Sequence, residues 1–438
     1  MKYNILIKSE PKMPRLTAGT ECLKLLLSQV SKDMHEPITP MLFPILGAQF
    51  SNTDFVYPDN TTKELCGMMA SLVADSGCNK GQLSQLVEAL CAGLRAHDEA
   101  ELEKLAHWQQ AMKTRSANQE KPARPDVALL FPPADITNAA FIQNAIGCEM
   151  AGGRTQFLNL PEIEMADRIC GGHRQVSHTL RNIYDRQRAG ALRATADGVT
   201  GNPVLRVNLT ISATPFAARQ FFKSDLWNGT FGRMVFSYKA RTARDGRIPR
   251  QGCYDETFCN ELDRYLKRIR DCQGRFTVKP LNALIDNLAK DMAAAADLAD
   301  DDILWDLSKR SLVSAWKAGC ILYVLNEQEW TRPMGELVAW LAYHDLWSKM
   351  QIFSDLLDSD KASLAPSGKC GPRNMLDQMP EQFTEMQLQA LRETMKKTAE
   401  GTKHQIHVWT NRRFITYDPI TDLYTKSETY LKKSQKNK

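Results

Sequence analysis

The sequence lacks a long uninterrupted apolar run, and its first residues lack the apolar core of a signal peptide. The longest apolar stretch, Ile38 to Ala48, falls well short of the roughly 20 residues that span a bilayer. These two absences argue against a membrane-spanning or secreted chain. We therefore expect a protein of the cytoplasm.

The sequence also lacks a cysteine framework. Its 11 cysteines are scattered as single residues and include no CxxC pair. Neither a zinc site nor a set of disulfides can be read from such spacing. We expect buried, reduced thiols.

Charge is spread unevenly along a chain that is long enough for two or three domains. The chain has 438 residues and a formal net charge of +5. Residues Gly401 to Lys438 hold eight Lys or Arg residues against three acidic ones, an excess equal to that of the whole chain. A second basic stretch runs from Arg241 to Arg250. Such patches are typical of phosphate-backbone binding, and equally of solvated loops and tails.

An order of strand, glycine-containing loop and helix opens the central part of the chain. Cys66 to Ala74 is an apolar run of strand length, residues 75–81 form the loop, and helical spacing of apolar residues begins at Leu83 and continues to about Met112. A polar linker follows, from Lys113 to Asp126.

Strands and helices then alternate. Val127 to Phe131 is apolar, and Thr137 is placed to cap a helix that closes near Gly147. Three further strands and one further helix are predicted: strands at Gln156–Leu160, Val204–Ala213 and Arg233–Tyr238, and a helix at Ser177–Arg188. This alternation predicts a doubly wound α/β core.

Four regions follow from these patterns. Residues 1–60, with prolines interrupting an apolar segment, form a lead-in. Residues 61–253 form the α/β core, residues 254–364 an all-helical domain, and residues 372–438 a small basic unit after a linker at Ala365 to Pro372.

The loop after the first core strand resembles a degenerate phosphate-binding loop. In the pattern G-x-x-x-x-G-K-[ST], backbone N–H groups wrap the phosphates, the Lys neutralises their charge and the hydroxyl holds magnesium. Here Ala74 and Asn79 replace the glycines, and Gly81 occupies the hydroxyl position. Asn tolerates the left-handed conformation better than most residues, so Asn79 is compatible with loop closure. The predicted nucleotide-binding residues are Ser76, Gly77, Cys78, Asn79, Lys80, Gly81 and Gln82; the alternative is a tight turn with a surface lysine.

Two carboxylates follow the strand Gln156–Leu160, where a Walker B motif places its acids. Pro161 occupies the position of the magnesium-linked Asp, and Glu162 that of the residue that orients the attacking water. Glu162 and Glu164 are the predicted magnesium-linked residues. The alternative is a solvated strand end.

Two further residues complete the predicted catalytic set. Asn208, in a strand that resembles the sensor strand of P-loop ATPases, would contact the γ-phosphate or water. Arg233, at the start of a strand, would act on the nucleotide of a neighbouring subunit, which implies a ring oligomer. Otherwise Asn208 is a satisfied strand residue and Arg233 a surface cation.

The C-terminal unit has the pattern of a winged helix. Short helices are predicted at Asn374–Met379, Thr384–Lys396 and Lys403–Asn411, followed by strands at Phe414–Asp418 and Leu423–Lys426. In this arrangement the third helix enters a DNA groove, and Lys403, Arg412 and Arg413 lie near DNA. The alternative is a helical cap with a disordered basic tail.

These motifs, in this order, resemble a family of helicase-like P-loop proteins of unknown function that bacterial mobile elements and prophages encode, often behind a primase. The resemblance covers roughly residues 37–360 and is carried by five segments: Leu160–Glu164, Asn182–Asp185, Ala191–Arg193 with Val199, the Asn208 strand, and Gly232–Phe236. It implies an AAA-like or RecA-like ATPase with ATP and Mg, acting on DNA as a homo-oligomer, with a primase or other element-encoded replication proteins as partners.

Two functions stay open on the sequence. The predicted function is an ATP-driven, helicase-like or origin-remodelling motor in replication of a mobile element. The other is a degenerate P-loop protein that no longer hydrolyses ATP and acts as a DNA-binding accessory factor in replication or excision. The missing glycines, the missing hydroxyl and Pro161 favour the second function.

Overall fold

A computed structural model describes most of the chain. The described residues are 10–116, 118–170, 173–190, 199–223, 226, 229–240, 251–299, 301–364, 375–395, 397–399, 401–428 and 430–431. Some sequence predictions lie outside them: the resemblance segment Ala191–Arg193, the basic stretch Arg241 to Arg250, the linker Ala365 to Pro372, and the last lysines of the tail.

The described chain alternates helices with short strands. The strands are β1 (Thr53–Val56), β2 (Thr62–Glu64), β3 (Met69–Ala74), β4 (Gln156–Leu160), β5 (Val207–Ala213), β6 (Val235–Lys239), β7 (Gly274–Phe276), β8 (Gln382–Phe383), β9 (Ile415–Asp418) and β10 (Leu423–Lys426). The helices are α1 (Glu21–Ser28), α2 (His35–Gly47), α3 (Gly81–Leu90), α4 (Ala92–Thr114), α5 (Asn138–Met150), α6 (Met165–Cys170), α7 (His173–Tyr184), α8 (Pro215–Phe222), α9 (Thr230–Arg233), α10 (Glu256–Asp271), α11 (Lys279–Ala299), α12 (Asp302–Leu325), α13 (Arg332–Leu364), α14 (Met375–Gln378), α15 (Glu385–Thr394) and α16 (Gly401–Asn411).

A parallel four-stranded sheet forms the centre, in the order β4-β5-β3-β6. Every residue of β3 is buried, as is nearly all of β5, as expected of central strands in a parallel sheet covered on both faces. Because the strands are parallel, their carboxyl ends lie along one edge; Val73 pairs with Ala213, and Ala74 with Lys239. The predicted α/β class with a parallel sheet is confirmed.

The N-terminal segment is helical where prolines suggested an interruption. Pro40 and Pro44 lie inside α2, which packs against β3, β5 and β6. Proline normally breaks a helix interior, at a cost of roughly 3 kcal/mol. Here every side chain from Pro37 to Gly47 is buried, and this burial offsets the lost hydrogen bonds. The segment read as a lead-in therefore contributes a layer of the core.

Side chains of α13 cover the free edge of β6. Asp345 accepts the backbone N–H of Phe236 at 2.8 Å, and Ser348 accepts that of Tyr238 at 3.0 Å. His344 hydrogen-bonds the hydroxyl of Ser237 at 2.9 Å. An uncovered edge strand would offer unpaired backbone groups to other chains, so α13 takes the place of a fifth strand here.

Two predicted elements differ in detail. The long helix after the loop is divided at Cys91 into α3 and α4. Within Val127 to Phe131 no strand forms; instead the backbone N–H groups of Leu130 and Phe131 donate to the buried carboxylate of Asp98, at 2.7 and 2.6 Å. A side chain thus replaces the strand pairing that the apolar pattern suggested.

The apolar residues form two clusters. The first runs from Cys22 to Leu357 and joins the sheet to helices α1 to α13. The second spans Met375 to Tyr430 and surrounds the buried ring of Trp409. In this second unit β8, β10 and β9 form an antiparallel sheet, and three helices, α14 to α16, pack with it. Within the described chain no helix is long and apolar enough to cross a membrane.

Candidate functional site

The predicted phosphate loop lies at the carboxyl edge of the central sheet. It joins β3 to α3, and Lys80 stands immediately before the helix. The Lys80 ammonium donates to the carbonyls of Ala74, at 2.9 Å, and Ala213, at 3.2 Å, so it bridges the ends of two strands. Burial lowers the pKa of Lys80, and the nearby negative charges of Asp75 and Glu162 offset only part of that shift.

The backbone of the loop has the conformation that the prediction needed. Gly77 and Asn79 both adopt left-handed conformations, with φ of 83° and 57°. Asparagine accepts such a φ with little strain, which explains how the loop closes without the usual second glycine. Apart from the neighbouring residues of the loop and helix themselves, no described atom lies within 4 Å of where a Cβ would stand on Gly77 or Gly81, so the space beside the loop is open.

Gln82 does not belong to this open space. Its side chain is buried, and its amide oxygen accepts hydrogen bonds from the backbone N–H and the hydroxyl of Ser31, at 3.1 and 3.0 Å. The structure therefore does not support the side chain of Gln82 as a nucleotide contact. Gln82 ties α3 to the turn before α2, because at that helix position its side chain faces the core.

Glu162 is exposed just past the end of β4, and its charge acts on Lys80. The structure thus brings the predicted phosphate-binding lysine and the predicted water-orienting carboxylate to one edge. Glu164, two residues further on and beyond the buried Ile163, is also exposed. Among the described residues no cluster of three or more His, Cys, Asp or Glu is arranged to hold a metal by protein ligands alone.

Asn208 lies at the opposite edge of the sheet, contrary to its predicted role. It is level with Met68, six residues before Ala74 at the carboxyl end of β3, which at about 3.3 Å per residue is roughly 20 Å away. Its buried amide accepts the N–H of Met68 at 2.9 Å and donates to the carbonyls of Pro44 and Leu65, each at 3.0 Å. Asn208 is a structural residue that joins α2, β5 and the segment before β3.

Other polar groups lie nearer the carboxyl end of β5. Thr210 donates its hydroxyl to the Asn159 amide oxygen at 3.0 Å, which links β5 to β4. Ser212 is partly exposed, and the Thr214 hydroxyl caps α8 by accepting the N–H of Ala217 at 3.2 Å. Sequence reasoning missed these positions, although counting by twos along β5 from Asn208 leads to Ser212 and Thr214.

Arg233 is also at the amino edge, at the end of α9. Its guanidinium pairs with the Asp185 carboxylate at 2.7 Å, donates to the Gly229 carbonyl at 2.8 Å, and leaves 14% of the side chain exposed. The ring of Tyr184 lies 5.5 Å away. A trans-acting finger requires a guanidinium that extends from the surface, so the structure does not support that role for Arg233.

The three predicted DNA contacts differ in their surroundings. Lys403, on α16, and Arg413, just after it with φ of 56°, are exposed. Arg412 pairs instead with Asp297 of α11 at 2.6 Å, beside a hydrogen bond from Gln405 to the Asp297 carbonyl. Arg412 therefore helps to dock the second unit on α11, and its prediction as a DNA contact is not supported.

Comparisons with known proteins leave the chain without an assigned family. No family model matches it, and no curated protein matches it. Among solved structures it is similar to the Aeropyrum pernix ORC2 protein in its ADP form, at 12% identity over 97% of this chain and 93% of that chain, with a TM-score of 0.20. So low a score supports no conclusion on fold or function, and the class defined by the chain's own structure is an α/β protein with a parallel central sheet.

Proposed function

We propose that this chain binds ATP at the loop between β3 and α3. The observation that supports this best is the position of Lys80, whose ammonium is held by two strand-end carbonyls beside open space. A triphosphate placed there would offer Lys80 anionic oxygens in exchange for neutral carbonyls. The N-terminal end of α3 and the left-handed loop would add backbone N–H groups and a favourable dipole.

We propose further that ATP is hydrolysed, with Glu162 orienting the attacking water. Glu162 is exposed and close enough for its charge to act on Lys80. Magnesium would be held chiefly by the phosphate oxygens and water, with Glu162 and Glu164 nearby, as is usual for this cation. Neither Asn208 nor Arg233 takes part in this scheme.

The second unit supports DNA binding by a winged helix. Its order of α14, β8, α15, α16 and the hairpin β9–β10 matches a plan in which one helix enters the major groove. Helix α16 buries Thr402, Gln405, Ile406 and Trp409, which leaves Lys403 on the solvent side. Lys403 and Arg413 are the proposed phosphate contacts.

The finer proposal is an ATP-driven, helicase-like or origin-remodelling motor in replication of a mobile element, with a primase or related replication protein as partner. This context rests on the family resemblance. A ring homo-oligomer belongs to the same proposal. The ring was inferred from Arg233 acting on a neighbouring subunit, and the ion pair of Arg233 with Asp185 does not support that role.

A second function has a specific observation in its favour. Two of the three predicted catalytic residues lie at the wrong edge of the sheet, and Pro161 occupies the place of the magnesium-linked Asp. A chain that binds ATP without hydrolysing it, and acts as a DNA-binding accessory factor, would have this appearance.

Replacing Lys80 tests the nucleotide site. We expect Lys80→Ala to weaken ATP binding at least tenfold in a calorimetric titration, with little change in stability, because the lysine serves the ligand and not the core. Lys290→Ala, which removes an exposed lysine from α11, is the matched control and should bind ATP as the parent does. Equal ATP affinity in the parent and Lys80→Ala would disprove the assignment of the site.

A further inference from the structure

Phe216 is an exposed aromatic residue close to the candidate nucleotide site. It lies in the first turn of α8, three residues after Ala213, whose carbonyl accepts from Lys80. Its side chain is 73% exposed, although Phe is usually buried and α8 buries Phe222 completely. Helical side chains lean toward the helix N-terminus, so Phe216 points toward the carboxyl edge of the sheet.

Phe216 begins a mixed stripe on the exposed side of α8. Gln220 and Lys223, four and seven residues later, are also exposed and lie on the same face of the helix. Arg219, beside them, is partly exposed and lies 3.6 Å from the Asp355 carboxylate. The stripe therefore combines one aromatic ring, one amide and one cation.

This combination favours one kind of ligand. An apolar protein partner needs a contiguous apolar patch, whereas the next residues along the stripe are polar. Non-specific binding of single-stranded nucleic acid instead uses an aromatic ring on which a base stacks, with cations along the backbone. The Lys223 charge suits phosphate, and the amide of Gln220 can both donate and accept hydrogen bonds.

We propose that the face of α8 formed by Phe216, Gln220 and Lys223 binds single-stranded DNA, with a base stacked on Phe216. The inference deepens the proposed function and rests on it for the choice of DNA. The hydrogen bond from Lys80 to Ala213 joins this face to the phosphate loop.

The test compares two fluorescent strands of equal length: oligothymidine and the same backbone with abasic sites. We expect Phe216→Ala to weaken anisotropy-monitored binding of oligothymidine about tenfold, since one stacked base contributes roughly that much, and to leave binding of the abasic strand unchanged. Phe216→Trp should restore the affinity, and Phe216→Leu should not, because only the former keeps a π face. Lys223→Gln should reduce the salt dependence for both strands.

Controls separate this proposal from the nucleotide site. Met150→Ala removes another exposed apolar side chain, 65% exposed on α5, and should have no effect. ATP titrations of each variant should match the parent. Four results would overturn the proposal. Phe216→Ala or Phe216→Leu could bind oligothymidine as tightly as the parent does, Phe216→Ala could lose as much affinity for the abasic strand as for oligothymidine, or the parent itself could fail to bind oligothymidine. Loss of ATP affinity in Phe216→Ala would instead assign the ring to the nucleotide base. Absence of ATP binding in the parent, with the base-dependent difference intact, would remove the nucleotide site alone.

Discussion

Asn208 and Lys80 are polar residues beside strands of one sheet, yet they lie at its opposite edges. Lys80 follows β3 and reaches the carboxyl edge, whereas Asn208 is the second residue of β5, near the amino edge. A sequence pattern shows that a polar residue belongs to a strand, but only register against the neighbouring strands shows at which edge its side chain lies. The loop and Glu162 were predictable because they follow their strands directly.

Asn208→Ala should therefore cause a folding defect. The change leaves the Met68 N–H and the carbonyls of Pro44 and Leu65 without this partner inside the core, at about 1–3 kcal/mol for each buried group. We expect the free energy of unfolding in urea to fall by about 3 kcal/mol or more. ATP affinity of the folded protein should be unchanged.

Ser212→Ala provides the comparison, since Ser212 lies on the same strand near the loop and is partly exposed. It should leave stability within about 0.5 kcal/mol of the parent. A stable Asn208→Ala protein that has lost ATP turnover would restore the sensor role and contradict the structural one.

At the scale of elements, the apolar patterns predicted whether a segment forms a helix or a strand better than they predicted which elements pack against each other. Strand β4 has the predicted bounds, and the capping of α5 by Thr137 is confirmed, because each depends on local sequence. The covering of β6 by α13 was not predictable, since it depends on Asp345 and Ser348 meeting backbone groups about 110 residues away. Helix α2 was missed because the low helix propensity of proline can be read from the local sequence, whereas the burial of α2 depends on elements distant in sequence.

The contact between α13 and β6 contains a buried histidine with a stability consequence. His344 lies between Trp340 and Trp347, and burial lowers its pKa to about 3. In the unfolded chain its pKa is about 6.5. Because the unfolded state binds the proton first as pH falls, the contribution of neutral His344 to stability is complete above about pH 6.5 and is lost progressively below it.

We expect protonation of His344 in the unfolded chain to lower the parent's free energy of unfolding by about 2 kcal/mol between pH 7 and pH 5. His344→Gln keeps a group that can hydrogen-bond Ser237 but does not titrate in this range. Urea unfolding at the two pH values should therefore show a smaller loss in His344→Gln than in the parent by about that amount. Equal losses in the two proteins would show that His344 does not stay neutral in the folded chain.

At the scale of the whole molecule, the candidate ATP site and the candidate DNA-binding unit are built on two different apolar clusters. The loop and Glu162 belong with the large cluster, and Lys403 and Arg413 with the small one. The units meet where Arg412 and Gln405 contact Asp297 and where Leu298 packs against the small cluster. Sequence reasoning predicted the C-terminal elements closely, but it could not predict that one of its arginines serves this internal contact.

We propose, above all, that ATP bound at the loop is hydrolysed in response to DNA. The direct measurement is steady-state ATP turnover by the full chain, with and without DNA. Three proteins are compared: the parent, Glu162→Gln, and a Lys403→Gln/Arg413→Gln double variant. We predict that DNA stimulates the parent, that Glu162→Gln binds ATP but turns over at least 100-fold more slowly, and that the double variant keeps its basal rate with weaker stimulation. A parent that binds ATP but shows no turnover on single-stranded or duplex DNA would contradict the claim and leave a nucleotide-binding accessory protein.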